Sequence, residues 1–100
     1  MMTGGQAEEW KGNMRIWFKE MHNTHLLRDI VIEDTSDDTR THKVFRALDQ
    51  ACYELELGRP IWLEQMKNDF KMHARARFTR DAFIEEVPFD YLEIQVLEED

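Results

Sequence analysis

The sequence is poor in cysteine, glycine and proline. Its one cysteine, Cys52, has no partner for an internal disulfide and cannot make a zinc site of the multi-cysteine type. Three of the four glycines lie within the first thirteen residues, which leaves too few for a glycine-rich phosphate loop. A single cysteine is typical of a reducing compartment, so we expect a cytoplasmic protein.

Long apolar runs are also missing. No stretch approaches the roughly 20 apolar residues that span a bilayer. The first residues lack the basic start and apolar core of a secretory signal. These features predict a protein that neither enters a membrane nor is secreted.

The motifs of common enzyme chemistries are absent as well. The sequence contains no G-x-G-x-x-G, P-loop, G-x-S-x-G or H-E-x-x-H pattern, so a small enzyme ranks third among our functional hypotheses. His22 and His25 form an H-x-x-H that would bind zinc with Glu20 as a third ligand, but a turn does not fix ligand directions, and we expect two solvated histidines. Cys52 lies on an apolar stripe, where burial would silence its thiol. We therefore predict no catalytic residue, no metal and no cofactor.

What the sequence does contain favours a folded domain. Hydrophobic residues make up 42%, charged residues 34% and aromatic residues 11% of its 100 positions. Residues 1–13 show no apolar periodicity, and we interpret them as a disordered leader, a vector-derived remnant or an upstream start. Residues 14–100 are expected to form one α+β domain.

Three segments have the pattern of strands. Residues 14–21 alternate apolar and polar side chains, and residues 26–33 are rich in β-branched residues. A four-residue connection, residues 22–25, predicts that they form a hairpin. Residues 89–97 alternate most clearly of all.

Two segments have helical spacing. The first spans about 37–57, with Thr35 or Ser36 as its N-cap and Gly58 at its end. Its apolar stripe consists of Val44, Leu48, Cys52 and Leu55, widened by Phe45 and Ala51. A shorter helix begins at Ile61, and residues 79–84 suit one further helical turn.

These elements predict an α+β fold in the order ββααβ. A small three-stranded antiparallel or mixed sheet packs one face on the long helix, with the last strand beside the first in the spatial order 2-1-3.

Three strings of the sequence carry a resemblance to known proteins. They are TRTHKVF at residues 39–45, PIWL at residues 60–63, and FDYLEIQV at residues 89–96 before the acidic tail. With these strings the chain resembles a family of short uncharacterised acidic proteins from Firmicute bacteria of the gut type. The resemblance covers about residues 14–100. It implies a bacterial cytoplasmic origin and no assigned activity.

Charge is segregated along the second half of the chain. The formal net charge is −8, which makes the whole chain a poor partner for nucleic acid or anionic membranes. Residues 67–80 nevertheless carry a net charge of +4, and residues 81–100 carry −8. The basic segment predicts either a phosphate or nucleic-acid site through Lys71, Arg75, Arg77 and Arg80, or neutralisation by the acidic end of the same chain. We favour neutralisation.

Aromatic residues suggest a second surface. The aromatic candidates for partner binding are Trp17, Trp62 and Tyr91. Trp17 and Tyr91 alternate with the apolar residues of their strands, so they are expected on the sheet face away from the long helix. Either the second helix covers these rings or they form an exposed patch for a partner or a dimer.

The leading functional prediction is a non-enzymatic protein-interaction module that binds through this second sheet face or a strand edge. This prediction has two more specific forms. In one the protein is a homodimer, and in the other it is an acidic inhibitor or nucleic-acid mimic. The alternative is a nucleotide or nucleic-acid binder that uses residues 67–80.

Overall fold

The computed structural model describes residues 13–99. The predicted leader, residues 1–13, lies outside them except for Asn13. These residues form four strands, two α-helices and one short 3-10 helix. In chain order these are β1 (Met14–His22), β2 (His25–Asp34), α1 (Arg40–Glu54), α2 (Glu64–His73), β3 (Arg75–Thr79), the 3-10 helix (Arg80–Ala82) and β4 (Tyr91–Glu98).

The strands form one antiparallel sheet in the order β2-β1-β4-β3. The α+β class and the place of the last strand beside the first are confirmed, but the prediction of three strands is wrong. The additional strand, β3, pairs Arg75 with Gln95 and Thr79 with Tyr91 at the sheet edge. Its five residues alternate for too short a distance to be assigned from sequence alone.

The hairpin between β1 and β2 is tighter than predicted. Its strands run on to the cross-strand pair His22 and His25, so that only Asn23 and Thr24 form the turn. Both turn residues have positive φ, 51° and 64°, as a type I′ turn requires. A register shift between Glu20 and Met21 marks a bulge in the pairing just before this turn.

Helix α1 begins later than the predicted residue 37. Its N-cap is Thr39, whose hydroxyl accepts a hydrogen bond from the His42 backbone N–H at 3.2 Å. Ser36, one of the expected caps, instead accepts a hydrogen bond from Arg46 Nη2 at 2.9 Å. The capping side chains ahead of α1 thus organise a loop, and the helix starts only where that loop ends.

Helix α1 also ends earlier than predicted, before Gly58. Glu56 takes the left-handed conformation with φ 59°. The Glu56 N–H donates to Tyr53 O at 3.2 Å, and the Leu57 N–H donates to Cys52 O at 2.8 Å. These two bonds are those of a Schellman motif, with glutamate at the position that glycine usually occupies.

Helix α2 is shorter than the predicted segment. Residues 61–63 are not helical, and the helix starts at Glu64. It ends at Ala74, whose φ of 55° is again left-handed and turns the chain into β3. The expected turn at residues 79–84 is a 3-10 helix of three residues.

Both helices pack on the same face of the sheet, which corrects the expectation of one covering helix. This face carries Ile16 and Phe18 of β1, Phe78 of β3, and Leu92 and Ile94 of β4, each at most 1% exposed. Helix α1 contributes the stripe predicted from sequence, except that Phe45 is 47% exposed. Helix α2 contributes Met66 and Phe70. None of the helices among residues 13–99 is long and apolar enough to cross a bilayer.

Candidate interaction surface

The sheet face opposite the helices carries a row of alternating charges. The row crosses all four strands through direct cross-strand neighbours: Asp29 on β2, Lys19 on β1, Glu93 on β4 and Arg77 on β3. Lys19 Nζ lies 3.4 Å from Glu93 Oε2, and Arg77 Nε lies 3.2 Å from Glu93 Oε1. Glu93 is only 5% exposed, so these two cations compensate a largely buried carboxylate. We call this face the open face.

Trp17 and Tyr91 lie on the open face beside the charged row. The Trp17 indole N–H donates to Asp29 Oδ2 at 2.8 Å, and Lys19 Nζ lies 4.1 Å from the ring centroid. Arg77 Cζ lies 4.5 Å from the centroid of the Tyr91 ring. Each ring is therefore held in a cation–π contact by a residue that also pairs with Glu93. Both rings are half-buried by their neighbours rather than by a helix.

Trp62, the third aromatic candidate for partner binding, does not join Trp17 and Tyr91. It lies on the helix-covered side, edge-to-face with Phe45, Phe70 and Phe78 at centroid distances of 6.0, 5.9 and 4.8 Å. The non-helical residues 61–63 carry it between α1 and α2. Its indole N–H is buried without a hydrogen-bond partner among the described residues.

Among residues 13–99, strand β2 forms one edge of the sheet along its ten residues. Leu26, Leu27 and Val31 are 47%, 44% and 41% exposed. Val31 is the cross-strand neighbour of Trp17, so the apolar part of this edge continues onto the open face. An edge strand of this length presents unpaired backbone donors and acceptors, which another strand can use.

The basic segment 67–80 is divided by the fold into two parts. Arg77 pairs with Glu93, and Arg80 donates to Phe89 O at 2.9 Å and to Asp90 Oδ1 at 3.3 Å. Lys67 and Lys71 instead line a groove between the two helices, and Arg75 and Arg77 line another between α2 and the β3 edge. The segment is thus no continuous patch, and the acidic end of the chain engages part of it.

Asp90 connects the hairpin turn to the segment before β4. Its carboxylate accepts hydrogen bonds from the Asn23 backbone N–H at 2.9 Å and from Arg80, and lies 3.1 Å from His22 Nδ1. The bond from Asn23, with His22 and Arg80 adding to it, holds the pKa of Asp90 below its ordinary value. His22 is therefore part of an ion-pair cluster at this end of the sheet.

Glu20 and Cys52, which were considered for metal binding and nucleophilic chemistry, have structural surroundings that do not suit those roles. Glu20, the third ligand considered beside His22 and His25, is bound by Arg28 on the covered side. Within residues 13–99 no group of three His, Cys, Asp or Glu side chains is arranged to hold a metal ion. Cys52 is 3% exposed, and burial raises the pKa of its thiol to about 11.

Glu20 is a structural residue that sequence reasoning missed. It is 1% exposed and accepts bonds from Arg28 Nε at 3.0 Å and Arg28 Nη2 at 2.9 Å. The same Arg28 nitrogen Nη2 donates to Leu55 O at the end of α1, also at 2.9 Å. The pair therefore ties the sheet to the carbonyl end of the helix, where a cation is favoured. The sequence did offer an indication of its burial: Glu20 continues the every-second-residue spacing of Ile16 and Phe18, which places it on the buried face of β1.

Comparisons with known proteins add no relative: no family model, curated protein or solved structure matches the chain. The resemblance to Firmicute proteins stays a prediction. The function therefore has to be inferred from the geometry of the open face and the β2 edge.

Proposed function

We propose that this protein is a non-enzymatic, cytoplasmic interaction module that binds a protein partner through the β2 edge and the adjoining part of the open face. The observation that carries the proposal is the ten-residue edge strand with Leu26, Leu27 and Val31 each more than two fifths exposed. A partner strand added here would gain backbone hydrogen bonds, and these side chains would lose contact with water.

The neighbouring charges support the role of this edge as a defined surface. Asp29 is held by the Trp17 indole, and the row behind it is neutralised by alternating partners. A partner on the apolar edge would therefore find the charges of this row already engaged within the chain. Strand β2 contains no proline and is ten residues long, so it lacks two of the features that protect an edge.

The acidic-inhibitor version has less support. Several carboxylates of the acidic end are engaged within the chain: Asp90 by Arg80, Glu93 by Arg77, Glu98 by Arg15 and Glu99 by Arg40. The nucleic-acid alternative is weakened by the same pairs, because two of its proposed contacts, Arg77 and Arg80, already have carboxylate partners.

Light scattering tests the version in which the partner is a second copy. We expect the molar mass of the wild type to rise towards twice the monomer mass with concentration, and Val31→Lys to remain monomeric. The matched control is Ile84→Lys, because Ile84 is 91% exposed and lies outside every strand. A wild-type monomer at every concentration removes the homodimer and leaves a different protein as the partner. Equal effects of the two lysine variants would contradict a specific role of the β2 edge.

A further inference from the structure

A groove of 450 Å³ lies between the first half of α1 and α2. Its aromatic wall consists of Phe45, Trp62 and Phe70, which contact one another edge-to-face through Trp62. Phe45 is 47% exposed, although it belongs to the apolar stripe of α1. The groove thus presents an apolar surface that neither helix covers.

Three cations surround this aromatic wall: Arg40 at the start of α1, and Lys67 and Lys71 on α2. Lys67 and Lys71 are four residues apart, so their charges lie on the same side of the helix and repel each other. Neither forms an ion pair with any residue in the described range 13–99. Glu64 is the one acidic side chain among the described residues that line the groove. In a chain of net charge −8, this is a local concentration of positive charge beside exposed aromatic surface.

One of these cations already binds a carboxylate of the chain. Arg40 Nε donates to Glu99 Oε2 at 2.7 Å, while Arg40 Cζ lies 5.0 Å from the centroid of the Phe70 ring. Glu99 directly follows β4, so the carboxylate reaches the groove on an acidic peptide segment. The rim is therefore built to accept a carboxylate presented by a polypeptide next to an aromatic ring.

We propose that the groove between α1 and α2 binds a short acidic peptide segment of a partner protein. An apolar side chain of the segment packs on Phe45 and Trp62, and its carboxylates pair with Lys67 and Lys71. Glu99 competes with the segment for Arg40. A long polyphosphate fits less well, because it extends beyond the three cations and meets the acidic remainder of the surface, whereas a short peptide stays within the screening length of the cluster.

The experiment uses a fluorescein-labelled peptide, acetyl-Glu-Glu-Leu-Leu-Glu-Glu, and fluorescence anisotropy at low salt. The double variant Lys67→Gln with Lys71→Gln should weaken binding about tenfold, since each exposed charge pair contributes a modest amount. Phe45→Ser should weaken it as well. Glu99→Gln should strengthen it, because the variant removes the competing carboxylate. These positions are exposed or partly exposed, so we expect all variants to fold.

Arg75→Gln is the matched control, because it removes one positive charge at the β3 edge outside the groove and should leave binding unchanged. The indole signal of Trp62 in a nitrogen–proton spectrum should shift on titration, while that of Trp17 should not. Val31→Lys should bind the peptide like the wild type, so that a failure at the β2 edge and a failure at the groove are distinguishable.

Several results would overturn the proposal. No binding at about 1 mM peptide would do so. So would equal losses in the groove variants and in Arg75→Gln, or weaker binding by Glu99→Gln. Tighter binding of single-stranded DNA than of the peptide, with the same dependence on Lys67 and Lys71, would assign the groove to nucleic acid instead.

Discussion

At the scale of single residues, the ion pair between Glu20 and Arg28 is the most consequential contact. The two partners differ in environment, because the Glu20 side chain is 1% exposed whereas that of Arg28 is 49% exposed. Loss of the arginine leaves a buried carboxylate without its cation. Loss of the carboxylate leaves an arginine that water can solvate. The same salt bridge should therefore respond unequally to mutation of its two ends.

We expect Arg28→Met to lower the free energy of unfolding by about 3 kcal/mol, and Glu20→Gln to lower it by only about 1 kcal/mol. Urea unfolding at neutral pH measures both. Equal losses, or a larger loss in Glu20→Gln, would show that Glu20 is not the buried, dependent partner.

Cys52 gives a second prediction at this scale. Because burial raises the pKa of its thiol to about 11, little thiolate forms at pH 8, and access to it is blocked. We expect a disulfide reagent to label the folded protein at least tenfold more slowly than the protein in urea, since about two pKa units separate the folded thiol from its ordinary value of 9.0. Labelling of the native protein at the unfolded rate would contradict the burial of this face of α1.

At the scale of elements, several turns place a residue other than glycine in the left-handed backbone conformation, which glycine adopts with the least strain. Thr24, Glu56 and Ala74 all have positive φ, at the hairpin turn and at the ends of α1 and α2. A β-branched residue is strained most in this conformation. Thr24 therefore marks the position where backbone strain is largest.

Thr24→Gly should raise the free energy of unfolding by about 1 kcal/mol, because Asn-Gly is the preferred sequence of a type I′ turn. Thr79→Gly is the control, since Thr79 has a φ of −76° and loses backbone order without any relief of strain. Thermal unfolding should show opposite shifts for the two variants. A lower melting temperature for Thr24→Gly would contradict the turn geometry.

The loop before α1 contains a carboxylate, Asp38, that makes the stability of the fold depend on pH in the acid range. Asp38 accepts hydrogen bonds from His42 Nδ1 at 2.9 Å, from the Thr39 N–H at 2.8 Å and from Arg46 at 3.1 Å. The bond with His42, followed by that from Thr39, lowers the pKa of Asp38 from 3.8 to about 2. A carboxyl whose pKa is lower in the folded state than its ordinary value stabilises the fold when the pH is above that ordinary pKa. It loses this contribution as the pH falls through about 2.

We therefore expect stability to decline between about pH 4 and pH 2, with a shallower decline in Asp38→Asn. Asp37→Asn is the control, because Asp37 forms no hydrogen bond or ion pair with a described residue. Chemical unfolding at a series of pH values gives the comparison. Identical pH profiles for the wild type and Asp38→Asn would contradict the role of Asp38.

The same elements show what the sequence could and could not predict. Alternation in residues 14–21 and 89–97 was sufficient to predict β1 and β4 with bounds close to those observed. The start of α1 was not predictable, because residues 34–39 offer a run of capping side chains and a tertiary contact from Arg46 engages those nearest β2. Strand β3 and the place of Trp62 depend on pairing and packing between distant segments, which local periodicity does not report.

At the scale of the whole molecule, the fold divides the surface into two unlike sides. Both helices and the core lie on one side of the sheet, and the alternating charges of the open face lie on the other. The acidic end of the chain partly neutralises the basic segment, as we favoured from the sequence. The two surfaces that we propose for partners are the apolar β2 edge and the groove between the helices.

The most direct test of the β2 edge as a binding surface is site-specific photo-cross-linking in cells of the source organism. A photoreactive phenylalanine analogue replaces Val31 in one variant and the exposed Ile84 in the other. We expect a discrete cross-linked protein, either a second copy or one defined partner, at position 31 and not at position 84. The absence of an adduct at position 31, or the same adducts at both positions, would contradict the proposed function.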